Sequence, residues 1–106
     1  MIAHVVLYTP KAVLTEAEQS ELQESLRDAI AHIGGIEGHF IGRRLDTGFA
    51  YNAIGETPYE YVAILEFASR QALADYLSHP LHARLAGAFW RCCGNTLILD
   101  VEQFSV

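Results

Sequence analysis

The sequence predicts an α+β domain in which a four-stranded antiparallel sheet carries its helices on one face. Three observations predict it. The chain has 106 residues, enough for one hydrophobic core and no second. Its apolar periodicities run strand, helix, strand, strand, helical pair, strand, with no repeat or low-complexity stretch between them. Three of the four strands are apolar on both alternating faces, as strands covered on two sides are.

Residues 2 to 9, IAHVVLYT, are rich in β-branched and aromatic residues, and His4 shares a face with Ile2, Val6 and Tyr8. After Pro10, Thr15 and Glu18 form a capping box for a helix whose Leu22, Leu26, Ile30 and Ile33 recur at helical spacing. Gly34 and Gly35 stop that helix. Residues 36 to 45, IEGHFIGRRL, predict a second strand whose two glycines mark a bulge or bend. The segment from 46 to 58, DTGFAYNAIGETP, is a long loop. Its Phe49, Tyr51 and Ile54 are poorly suited to water, so a flap that packs on something is expected.

Residues 59 to 68, YEYVAILEFA, predict a third strand with Tyr59, Tyr61, Ala63, Leu65 and Phe67 on one face and Val62 and Ile64 on the other. Ser69 caps a helix carrying Leu73, Tyr76 and Leu77 along one stripe. That helix ends near His79, because the residue before a proline disfavours helical angles. Pro80 suits the first turn of the next helix, where Leu81, Leu85, Ala88 and Phe89 are apolar and His82 lies one turn from Leu85 and Ala86. Gly94 and Asn95 are expected to turn the chain into a last strand at 96 to 104.

This order, βαββα(α)β, is the split arrangement of ferredoxin-like folds. Helices on one face leave the other bare, although strands 1, 3 and 4 are apolar there too. A homodimer packed through the open sheet face is therefore expected. Composition agrees: 51% of residues are hydrophobic and the mean hydropathy is +0.16, high for a small monomer.

The net charge of −6 repels phosphate backbones and anionic membranes, so neither nucleic acid nor a membrane is an expected partner. The chain has no 18-residue apolar run, and its start lacks the basic region and apolar stretch of a secretory signal, which points to a soluble, cytoplasmic protein. Cys92 and Cys93 are adjacent, with no spacing for a zinc site or disulfide framework, and are expected to be reduced packing residues.

Candidate chemistry lies in YLSHPLH, residues 76 to 82. Histidine titrates near physiological pH, and Tyr76, His79 and His82 around a proline suit proton chemistry in a pocket. Pro80 makes a joint able to aim Tyr76 and His82 from two helices at one pocket, while His79 holds the joint. The competing view is structural: a histidine near a core often donates to a backbone carbonyl, and Tyr76 sits at an ordinary core position. His4 is likewise either a satisfied core histidine or a pocket residue. His32 suits the end of a helix dipole, and His39 has no evident partner. Asp75, His79 and His82 are separated by the Pro80 break and lack a fourth ligand, so no metal is expected. Glu66 and Asp100 are expected at solvated strand edges rather than in paired acid–base work. No glycine-rich phosphate loop is present.

The opening AHVVLYT, the run YVAILEFASRQALADYLSHPLH and the closing LILDVE together resemble the stress-responsive A/B barrel (Dabb) family over nearly the whole chain. His-Pro-x-His after an aromatic is the most specific piece. The resemblance implies a ferredoxin-like protomer and a dimeric α+β barrel. Departures are Tyr8-Thr9-Pro10 where the family commonly has an aromatic followed by lysine, the long aromatic loop, and the Cys92–Cys93 pair. Most members have no assigned reaction, but a plant branch comprises polyketide cyclases that close aromatic rings by intramolecular aldol condensation. There the second histidine of the motif is the base, the preceding tyrosine assists, and a first-strand histidine lines the pocket. The matching residues are His82, Tyr76 and His4, which the resemblance marks as catalytic. It implies binding or conversion of a small hydrophobic carbonyl or phenolic compound without a cofactor. Two alternatives stand beside it: a non-enzymatic dimeric stress or assembly protein, and a cofactor-independent oxygenase, a chemistry known in another family of dimeric ferredoxin-like barrels.

Overall fold

A computed structural model describes residues 1–53 and 59–106. The elements are β1 (Ile2–Pro10), α1 (Glu16–His32), β2 (Ile36–Arg43), β3 (Tyr61–Phe67), α2 (Arg70–Leu77), α3 (Pro80–Cys92) and β4 (Cys93–Glu102), with one 3-10 turn at Ala50–Ala53. The strands pair antiparallel in the order β2-β3-β1-β4, the ferredoxin-like arrangement.

Local chemistry sets the helix ends. The Thr15 hydroxyl accepts the Glu18 N–H while the Glu18 carboxylate accepts the Thr15 N–H, each at 3.1 Å, so the expected capping box forms. Gly35, at φ +90°, reverses the chain after α1 in a conformation that side chains resist. The Ser69 hydroxyl accepts the Ala72 N–H to open α2. Ahead of Pro80, His79 takes extended backbone angles, and its Nδ1 accepts the Leu81 N–H at 3.0 Å, capping α3. His79 thus holds the joint.

The even-numbered side of β1 and the odd-numbered side of β3 face the helices. Ile2, Leu65, Phe67, Ala29, Ile33, Leu73, Tyr76 and Leu85 form the main core, and Tyr8, Ala63, Cys92 and Cys93 a second cluster. Each large apolar side chain buried there contributes about 1.5–3 kcal/mol. Arg84 of α3 fastens the two longest helices, donating to Glu21 at 3.0 Å and Asp28 at 2.6 Å on α1. Both cysteines are free and buried.

Three expectations need revision. No turn occurs at Gly94–Asn95: β4 begins at Cys93, which takes extended angles directly after α3. The sheet captures the chain at that point, because Pro10 pairs with Cys93 across a bulge and the Lys11 N–H donates to the Cys92 carbonyl at 2.8 Å. The predicted strand ends also overran, since β2 stops at Arg43, β3 starts at Tyr61 and β4 stops at Glu102. In the described part of the expected flap, Phe49 and Tyr51 stack on each other with centroids 5.9 Å apart and remain 64% exposed, so this part packs on itself rather than on the body. Ile54, also assigned to the flap, lies outside the described residues. The glycine-linked irregularity of β2 is present, with the register shifting between Ile36 and Gly38.

Among the described residues, none covers the second sheet face. Val5 lies between Ile64 and Leu99, and Leu7 between Val62 and Leu97, in a continuous apolar surface that leaves Leu97, Leu99 and Val101 substantially exposed.

Candidate functional site

Between the helix-facing side of the sheet and the helices lies a cavity of about 320 Å³, at the lower end of the range for small-molecule sites. It runs along β1 past His4, Val6 and Tyr8, and along α3 past His82, Leu85, Ala86 and Phe89. Because α3 leans on α1 rather than on β4, the cavity reaches the edge strand, where Ile98 and Asp100, with Trp90 of α3, complete the wall.

His4, Tyr76, His82 and Asp100 gather at one end. Tyr76, from the last turn of α2, is almost wholly buried and meets three rings: Phe67 at 5.3 Å, His82 at 4.8 Å and His4 at 5.8 Å. No hydrogen bond of the described residues ends on its hydroxyl, and that oxygen is not sealed away from the cavity. His4 is buried, and its Nδ1–H donates to Asp100 Oδ1 at 2.6 Å, which leaves Nε2 as the free ring nitrogen. The structure therefore brings His4, Tyr76 and His82 to one wall, while His79 is taken up by its cap.

Electrostatics sets the proton state of two of these groups. Burial, and next the neighbouring His4 ring, lower the His82 pKa below the ordinary histidine value, with a contact to the Leu77 backbone opposing them. His82 is accordingly neutral at pH 7, the form that accepts a proton. Burial pushes the Tyr76 phenol up to about 12, so it remains a donor. The arrangement combines a neutral base, a phenolic donor and a carboxylate-held imidazole in apolar surroundings, which suits proton transfer at carbon or oxygen.

Asp100 lies at a solvated edge, as the sequence reading expected, but that reading gave it no partner. Its side chain reaches solvent and is also the partner of His4. Strand register carries the missing signal: with β4 antiparallel to β1 and Glu102 opposite Ile2, His4 falls opposite Asp100. Among the described residues, no three of the His, Cys, Asp and Glu side chains converge as a metal site would require.

The model of the stress responsive A/B barrel domain matches residues 2–103. The chain belongs to this family. No match to this Dabb domain is found among the curated proteins. Solved structures do match it. A protein from Arabidopsis thaliana superposes with a TM-score of 0.78 at 22% identity, covering 100% of this chain and 98% of its own. The hydroxynitrile lyase of Passiflora edulis gives 0.77 at 14% identity, covering 98% and 96%. A dimeric ferredoxin-like protein of unknown function from Thermobifida fusca gives 0.71 at 17% identity, covering 96% and 90%. At these identities the likeness establishes the Dabb fold. No helix among the described residues is long and apolar enough to cross a membrane.

Proposed function

We propose that this Dabb domain binds a small hydrophobic carbonyl or phenolic compound and converts it by histidine-based acid–base chemistry that needs no cofactor. The observation that carries it is the meeting of His4, Tyr76 and His82 on the wall of one apolar cavity. The neutral His82 imidazole takes a proton from the carbon next to the ligand carbonyl, the electron pair moves onto the carbonyl oxygen, and the Tyr76 hydroxyl donates to that oxygen as its charge grows. The resulting imidazolium returns the proton to the product. His4, oriented by Asp100, offers Nε2 to the ligand beside Tyr76.

The test is deuterium exchange. Incubated in D₂O with 4-phenyl-2-butanone, the protein is expected to speed exchange of the hydrogens next to the carbonyl, read by proton NMR. His82→Gln lowers that rate roughly 10²- to 10⁴-fold. Exchange no faster than in buffer, with ligand binding intact, would leave a binding protein and overturn the catalytic part. Absence of any thermal shift across a panel of aryl ketones and phenols would overturn both parts.

The proposal includes assembly. Two copies pack sheet to sheet through the face centred on Val5, Ile64 and Leu99, closing a dimeric α+β barrel, and the dimeric Thermobifida fusca neighbour supports this. A cytoplasmic setting, where thiols stay reduced, fits the free Cys92 and Cys93.

A further inference from the structure

Tyr8 stands at the end of the cavity farthest from His4 and His82. Tyr8 and His4 share the helix-facing side of β1 with Val6 between them, so their Cα atoms are roughly 13 Å apart. On α3, Phe89 lies two turns beyond His82, roughly 10 Å along the axis, and its ring meets that of Tyr8 edge-on at 5.3 Å. The Tyr8 ring also stacks on Tyr61 at 5.6 Å. The ring is therefore held in place. Tyr8 is 8% exposed and forms part of the cavity wall, yet no hydrogen bond of the described residues ends on its hydroxyl, and the oxygen is not sealed in.

Leu22, Ala63 and Phe89, which share this part of the lining, are apolar, and the Trp90 ring lies against Phe89. A cavity built only to hold hydrocarbon would be served as well by phenylalanine, because a hydroxyl covered by apolar ligand surface gives up water without gaining a partner. Burial, with smaller contributions from Cys93 and Tyr61, pushes the Tyr8 phenol up to about 12, so it carries its proton at neutral pH.

We propose that the Tyr8 hydroxyl donates a hydrogen bond to a second oxygen of the ligand, so that the cavity takes an elongated, mostly apolar compound with an oxygen function at each end. This rests on the cavity holding a carbonyl compound beside His82, and it narrows the class to carbonyl compounds with a distal hydroxyl, ether or carbonyl oxygen.

The experiment compares 4-phenyl-2-butanone with 4-(4-hydroxyphenyl)-2-butanone and 4-(4-methoxyphenyl)-2-butanone by calorimetric titration. The wild-type protein is expected to bind both oxygenated ketones roughly three- to tenfold more tightly than the plain one. The methoxy compound keeps the preference because it accepts a hydrogen bond. Tyr8→Phe retains the ring, binds the plain ketone as before and loses the preference. A preference that survives in Tyr8→Phe, or is absent from the wild type, overturns the role of Tyr8 and leaves the ketone site standing. If none of the three ketones binds, the carbonyl site itself falls and takes the Tyr8 proposal with it.

Discussion

Tyr76 and His82 belong to different helices, yet their rings meet edge to face 4.8 Å apart. On one unbroken helix, residues six apart point roughly 120° away from each other. The break between α2 and α3 at Pro80 is what lets both line the same cavity, so the joint is part of the site.

The His79 cap should therefore be measurable. His79→Ala removes the acceptor of the Leu81 N–H and is expected to cost about 1 kcal/mol. In a domain of this size that is a fall of roughly 4–8 °C in Tm. An unchanged melting curve would show that Pro80 alone fixes the joint.

His82 gives stability a pH dependence of known sign. Its folded-state pKa lies below the ordinary histidine value, so below about pH 6.5 the unfolded chain takes the proton first and stability falls as pH drops towards the lowered value. Above that window the contribution is constant. Urea unfolding at pH 7.5, 6.5 and 5.5 is expected to show a shallower decline in His82→Gln than in the wild type. Equal slopes would place the acid sensitivity elsewhere.

Asp100 holds a buried histidine from a partly solvated position. Asp100→Ala leaves the His4 N–H without its acceptor, at a cost of about 0.5–1.5 kcal/mol, toward the lower end because water reaches that strand edge. Denaturant titration measures the loss. A stability gain would show that the carboxylate serves the chemistry at the expense of the fold.

Leu99 tests the assembly. It is 45% exposed in the protomer, so Leu99→Asp leaves the fold intact, but across a sheet-to-sheet interface it buries an unpaired charge. Light scattering is expected to give twice 11.7 kDa for the wild type and a single chain mass for the variant. A wild-type monomer would leave the apolar face without its proposed cover.

The fold was legible where local chemistry and periodicity agreed. Thr15 with Glu18, Ser69, Pro80 and the alternating strands each had one compatible structure. Legibility failed where a distant partner decided the outcome. Gly94 and Asn95 look like a turn, but pairing between Pro10 and Cys93 extends the sheet through them. Asp100 reads as a solvated edge residue, which it is, but its pairing with His4 follows only from the register of β4 against β1. Tyr8 sits on an apolar strand face, and only the cavity distinguishes its hydroxyl from those of ordinary core tyrosines.

The direct passage from Cys92 in α3 to Cys93 in β4 gives the cavity a direction. With no intervening loop, helix and strand diverge from a fixed apex, like the arms of a wedge. Tyr8 lies near that apex, since Thr96 is its partner on β4, whereas His82 and Asp100 stand where the arms are farthest along. In the proposed binding mode the ligand's far oxygen therefore lies toward the apex and its carbonyl toward the open ends of the two elements, so the span from apex to His82 sets the spacing of the two oxygens that one ligand can satisfy together.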